Sequence, residues 1–167
     1  MDKKIFVING TGGSGKDTFV NFISKYAKVF NVSSVDKVKE IAAYCGWNGK
    51  KEEKDRKFLS DLKALLTNYN DYPFHDIMKK VDYFYQSNDE IMFIHIREPE
   101  EILKVVEASG AKTILIKRKN LDNINSNTSD MNVDNYNYDY YINNDGTLEA
   151  FEEKAKEFLE NIKTKKL

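Results

Sequence analysis

Apolar residues fall in two kinds of run along this chain: short continuous ones, and longer ones spaced at three and four residues. The continuous runs are Ile5 to Ile8, Ile91 to Ile96 and Thr113 to Ile116, with shorter candidates at Val32 to Val35 and Tyr140 to Ile142. A continuous run rich in β-branched residues predicts a strand covered on both faces. Between these runs the spacing turns helical. Phe19, Phe22, Ile23, Tyr26, Ala27 and Phe30 share one helix face, and a second helical stretch from Asp36 to about Tyr44 stops at Gly46-Trp47-Asn48-Gly49. Phe58, Leu59, Leu62, Leu65 and Leu66 predict a further amphipathic helix. Ile77, Met78, Val81, Phe84 and Tyr85 predict the next, with Pro73 near its start. Pro99 opens a helix carrying Ile102, Leu103 and Val106, with Gly110 as its C-cap. Leu148, Phe151, Phe158, Leu159 and Ile162 line a last helix that begins acidic (Glu149, Glu152, Glu153) and ends basic (Lys163, Lys165, Lys166), as its macrodipole favours. Asn120 to Tyr138 has turn chemistry and little periodicity and reads as a loop. Strands alternating with helices predict an α/β fold with a mostly parallel sheet flanked by helices, and residues 1–167 read as a single domain.

Composition narrows the classes. A formal net charge of -1 excludes a chain that is polyanion-binding over its whole surface, though it leaves room for a local basic site. The Tyr-rich tract from Tyr136 to Tyr141 lacks interleaved Lys and Arg, so no nucleic-acid partner is expected. Cys45 is the only cysteine, so there is no intrachain disulfide, and no Cys/His cluster has zinc spacing. No apolar stretch approaches the roughly 18 residues of a membrane span, and the first residues lack signal-peptide character. The expected address is the cytoplasm, as a monomer or homodimer with no membrane partner.

Chemistry concentrates at Gly10-Thr11-Gly12-Gly13-Ser14-Gly15-Lys16, which fits G-x-x-x-x-G-K between a strand and an amphipathic helix. Gly10, Gly12, Gly13 and Gly15 let the backbone reach positive φ and approach oxygens closely. Successive N–H groups, that of Ser14 among them, then form an anion nest, and the helix N-terminus adds donors and partial positive charge. Lys16 supplies a mobile charge for the β- and γ-phosphates. The pattern usually continues with Ser or Thr at a magnesium; here Asp17 stands there and Thr18 follows. Asp17 is either a hard oxygen ligand for Mg²⁺ or a helix-capping carboxylate.

Ser14-Gly15-Lys16-Asp17-Thr18 resembles the phosphate loop of the phage-type deoxynucleoside monophosphate kinases, within the P-loop nucleoside monophosphate kinase family; animal-type phosphomevalonate kinases share the Gly-Lys-Asp step. Four further segments resemble the same family, in its order. Asp36-Lys37-Val38-Lys39-Glu40 is similar to an Asp-Pro-Ile-Lys-Glu segment. Arg56-Lys57-Phe58-Leu59-Ser60-Asp61-Leu62 is similar to an Arg-x-x-Leu-Gln-Asp helix. Ile94-His95-Ile96-Arg97-Glu98-Pro99-Glu100-Glu101 resembles an Asp-x-Arg-x-x-x-Glu strand exit, and Asn143-Asn144-Asp145-Gly146-Thr147-Leu148 resembles an Asn-Asp-Gly-Thr-Leu step.

This resemblance implies a three-layer P-loop NTPase fold, ATP and Mg²⁺ as cofactors, and transfer of the γ-phosphate to a nucleoside or deoxynucleoside monophosphate. Another small phosphorylated metabolite as acceptor, or a nucleotide-binding regulatory module without turnover, are the alternatives. The resemblance further implies an acceptor-binding helical segment at about 36–88 and a lid-like loop at about 118–138. Phosphoryl transfer needs positioned cations, and Arg matches phosphate oxygens bidentately. Arg97, just beyond a strand's carboxyl end, is the candidate for the acceptor phosphate, or else pairs with Glu98 or Glu101. Lys39 and Arg56 are assigned to the acceptor by the resemblance. Arg118 faces ATP, or is a solvated charge in Lys117-Arg118-Lys119. Trp47 stacks on a base or packs in the core. His95 replaces the family's Asp, an acid that helps organise Mg²⁺ and its waters, and Thr128-Ser129-Asp130 only approximates a His-x-Ser-Glu lid motif.

Overall fold

The strand β1 (Lys4–Asn9) is buried from Ile5 onward, as a run with no polar alternation requires, and it lies in the middle of the sheet. The structure is a computed structural model that describes residues 2–119 and 132–164. After β1 come α1 (Lys16–Ser24), β2 (Val29–Ser33), α2 (Asp36–Tyr44), α3 (Glu53–Asn70), α4 (Tyr72–Gln86), β3 (Ile91–His95), α5 (Pro99–Ser109), β4 (Lys112–Lys117), a 3₁₀ turn at Val133–Asn135, β5 (Tyr140–Asn143) and α6 (Leu148–Thr164). The strands lie in the order β2-β3-β1-β4-β5, and every neighbouring pair is parallel. Parallel neighbours need crossovers, and the helices that make them cover both faces.

Alternation along the strands sorts the core into two layers. Phe6, Ile8, Phe93 and Ile114 face α1 and α6, where Phe158 meets Phe6 and Phe19 meets Phe93 edge to face, and Phe151 packs between Phe19 and Phe22. Val7, Met92, Ile94 and Leu115 face the other way, onto Ile77, Val81 and Phe84 of α4 and Ile102 and Val105 of α5. Among the described residues, no helix is long and apolar enough to cross a membrane.

The structure corrects several local expectations. The first helix ends at Ser24, so Phe30 belongs to β2, where its ring packs, tilted, 5.4 Å from that of Tyr83 of α4. Val35 precedes α2 instead of ending β2, because the Asp36 carboxylate accepts from the Ser33 amide at 2.8 Å and turns the chain. In α5, Val105 is buried and Leu103 is half exposed. Most consequential is α3, which has no buried residue: Leu59, Leu62 and Leu66 are half-buried, and Phe58 and Leu65 are exposed. A partly covered ion pair, Lys63 to Glu101 at 2.7 Å, ties α3 to α5. Trp47 is half-buried and donates from its indole to the Lys50 carbonyl at 2.9 Å, so it is a loop anchor and not a core residue.

Candidate functional site

Because all five strands run parallel, their carboxyl ends open on one edge of the sheet, and α/β sheets bind ligands there. From β1 the chain enters the glycine loop. Gly10, Gly13 and Gly15 have φ of 152°, 76° and 103°, values that L side chains rarely adopt; Gly12 is exposed and does without a positive φ. Two of these glycines are also sterically required. A Cβ on Gly10 would lie 2.5 Å from the Ile116 carbonyl oxygen of β4, and one on Gly15 would lie 2.5 Å from Asn144 Nδ2 and 3.2 Å from the Phe151 ring. The Asn144 side chain donates to the Ser14 carbonyl at 2.9 Å, so the turn between β5 and α6 braces the loop from behind. Ser14 Oγ is buried and has no hydrogen-bond partner among the described residues.

Among the described residues no side chain caps α1, whose N-terminus follows Gly15 directly. Lys16 folds back over the loop and donates from Nζ to the carbonyls of Gly10 and, at 3.0 Å, Thr11. A cavity of about 350 Å³ opens beside it, lined by Gly13, Lys16, Asp17, Thr18, Arg118 and Asn144, among others. Arg118 is exposed at the end of β4, so β4 brings the expected cation to the same cavity as Lys16.

On the other side of the loop stand His95 and Arg97, at the end of β3. His95 Nε2 lies 2.9 Å from Asn31 Oδ1 of β2 and 4.0 Å from Asp17 Oδ1. Burial pushes the His95 imidazole below its ordinary range; Asp17 opposes this, and the positive charges of Lys16 and Arg97 add to it. Asp17 itself is 89% exposed at the side chain and lines the cavity. Among the described residues no three His, Cys, Asp or Glu side chains gather into a metal site. Asp17 offers the cavity an exposed carboxylate, the donor type that a hard dication takes.

The sequence reading passes over Asn9. It is fully buried at the end of β1 and spends every polar atom on the site. Its Oδ1 accepts from the Gly10 amide at 2.8 Å, and its Nδ2 donates to the Arg97 carbonyl at 3.1 Å and to the Tyr138 hydroxyl at 2.8 Å. Tyr138 in turn donates to the Val133 carbonyl at 2.9 Å, and burial pushes its phenol up to about 12. One side chain thus joins the first glycine of the loop to the backbone of Arg97. The available signal was a polar residue closing a buried strand, which must find partners.

The remaining expected residues are placed less tightly. Lys39 is exposed on α2; Arg56 is exposed on α3 and donates from Nε to the Lys51 carbonyl at 3.1 Å. No hydrogen bond joins either to the loop among the described residues. Of the expected lid, residues 120–131 lie outside the described residues, as does Thr128-Ser129-Asp130; the described end is built into the core through Val133 and Tyr138.

No protein-family model matches the chain, and no curated protein matches it in sequence. Solved structures do match in shape. TT1252 from Thermus thermophilus is 16% identical with a TM-score of 0.57, over 97% of this chain and 99% of that one. Thymidylate kinase from Ehrlichia chaffeensis is 12% identical with a TM-score of 0.51, over 96% of this chain and 99% of that one. With the glycine loop, parallel sheet and flanking helices, these likenesses show an α/β P-loop NTPase fold.

Proposed function

We propose that this protein is an ATP-dependent phosphotransferase that moves the γ-phosphate of ATP to a nucleoside or deoxynucleoside monophosphate. The observation that carries the proposal is the placing of two cationic sites on either side of one glycine loop. Lys16 and Arg118 border the cavity on one side, and Arg97 stands on the other, its backbone tied to the loop through Asn9. Donor and acceptor phosphates need such an arrangement, because the chemistry is positioning and charge neutralisation.

In this reading the N–H groups of Gly12 to Thr18 cradle the ATP phosphates. Lys16 leaves the Gly10 and Thr11 carbonyls for the β- and γ-oxygens, and Arg118 follows the charge that develops on them. Arg97 presents its planar fork to the acceptor monophosphate, with Lys39 and Arg56 on the helical arm at 36–88 as longer-range contacts. An acceptor phosphate oxygen bonds to the γ-phosphorus while the bond from that phosphorus to the β,γ-bridging oxygen breaks, and ADP leaves. Asp17 would hold a divalent cation arriving with ATP, which would further neutralise the phosphate charge. His95, standing where a carboxylate is expected, favours a second reading: a nucleotide-binding module without turnover.

ADP release measured across nucleoside and deoxynucleoside monophosphates, with small phosphorylated metabolites as a second set, separates these readings. Product with a nucleotide set, and a loss of at least about tenfold in Lys16→Ala, matches a charge-assisted bond of ~1.5–3 kcal/mol. Product only with other metabolites changes the acceptor. ATP binding without product from any acceptor supports the module.

A further inference from the structure

We propose that Asn9 is a positioning residue, anchored by Tyr138, that sets the distance and direction from the glycine loop to Arg97 and so aligns a phosphate chain lying across both. That phosphates lie at these two places rests on the phosphotransfer reading above; the link between them lies in the hydrogen bonds themselves.

Arg97 gains from such a tie because the sheet ends before it. The β1–β3 ladder closes at Ile8 and His95, with a longer last bond from the Ile96 amide to the Ile8 carbonyl at 3.4 Å. Asn9 extends the ladder by one side chain. Its Nδ2 donates to the Arg97 carbonyl at 3.1 Å while its Oδ1 accepts from the Gly10 amide at 2.8 Å. These partners fix which way the carboxamide faces, since a backbone N–H only donates and a carbonyl only accepts. A carboxamide is planar, so both bonds share one rigid frame.

Tyr138 supplies the third corner of that frame. Its hydroxyl accepts the other Nδ2 hydrogen at 2.8 Å and donates its own to the Val133 carbonyl at 2.9 Å. The phenol is pinned in turn. It is buried, its ring lies 5.1 Å from that of Tyr136 and 5.9 Å from that of Tyr141, and its amide donates to the Tyr141 hydroxyl at 3.1 Å. Asn9 is fully buried, so bulk water does not stand in for a lost partner. Without the Tyr138 hydroxyl, one Nδ2 hydrogen is left buried and unpaired, and the carboxamide must turn to find an acceptor. Turning it strains the bonds to Gly10 and Arg97 together. A residue just ahead of β5 thus governs how Arg97 stands to the loop.

Misplacement of this kind has its own signature. A ligand that touches the loop alone does not sense where Arg97 stands, whereas a ligand spanning both gains only when both ends fit at once. General loosening of the fold weakens the two ligands alike.

Adenosine 5′-pentaphosphate serves as the spanning probe, because its chain runs past the γ-position and carries no acceptor base or sugar; ATP is the loop probe. Calorimetric titration of the full chain gives both affinities. We expect wild type to bind the pentaphosphate at least about tenfold more tightly than ATP, as one added charge-assisted bond allows, and Arg97→Ala to lose that advantage. Tyr138→Phe, which keeps the ring packing, should hold ATP affinity within about twofold and cut the advantage to about threefold or less. Asn9→Ala should bring the ratio to about one, and where it fails to fold, Tyr138→Phe carries the test. A ratio unchanged in Tyr138→Phe, equal losses for both ligands, or a wild type that binds the two equally overturns the role of Asn9. ADP release with monophosphate acceptors is assayed separately. A wild type that phosphorylates none, yet shows the ratio and its loss, refutes the kinase reading and keeps Asn9 as the positioning residue; turnover with a ratio unchanged in Tyr138→Phe does the reverse.

Discussion

Replacing Gly15 by alanine tests whether the loop is braced from behind as the structure shows. Gly15 has φ 103° and ψ 20°, and holding an L-residue there costs ~1–3 kcal/mol. The new methyl would lie 2.5 Å from Asn144 Nδ2 and 3.2 Å from Phe151 Cε1. Phe151 has little room to yield, since it is buried with its ring 5.9 Å from that of Phe19 and 6.0 Å from that of Phe22. Asn144 must therefore swing out and give up its bond to the Ser14 carbonyl, a further ~0.5–1.5 kcal/mol. The two contributions together place Gly15→Ala about 2–4 kcal/mol below wild type. Urea unfolding with linear extrapolation measures it. Asn144→Ala alone should lose about 1 kcal/mol, and the double variant should lose less than the sum, because the amide that clashes has been removed. A Gly15→Ala protein within about 0.5 kcal/mol of wild type, or strict additivity, would refute the brace.

Arg97→Ala should keep ATP affinity within about twofold while losing ~2–3 kcal/mol in acceptor kcat/KM, with Arg97→Lys recovering only part of it because an ammonium lacks the planar fork. Steady-state kinetics beside direct ATP titration decides this, and intact acceptor kinetics would make Arg97 a structural ion-pair partner. Tyr138 gives a pH prediction. Its folded pKa of about 12 stands above the ordinary 10, so the stability it contributes is fully present below pH 10 and is lost as pH rises toward 12. Denaturation midpoints between those values should fall less steeply for Tyr138→Phe than for wild type, and parallel slopes would contradict the buried, neutral phenol.

Much of the fold was legible because its signals are local. The continuous runs at Ile5, Ile91 and Thr113 became β1, β3 and β4, since a strand covered on both faces has no room for polar alternation. The glycine loop was readable because the φ values needed at Gly10 and Gly15 suit glycine alone, and Gly110, at φ 68°, caps α5 for the same reason. What lay beyond reach depends on which strands become neighbours. The order β2-β3-β1-β4-β5 sets β2 beside β3, and only that pairing brings Asn31 to His95, 64 residues away. It likewise brings Asn144 under Ser14 across 130 residues and Asn9 against Tyr138 across 129. Periodicity marked an apolar stripe on α3 without showing that Leu65 stays exposed among the described residues. A hydrophobic pattern records what a side chain would bury; the partner that buries it, or leaves it bare, is decided by the packing of distant elements.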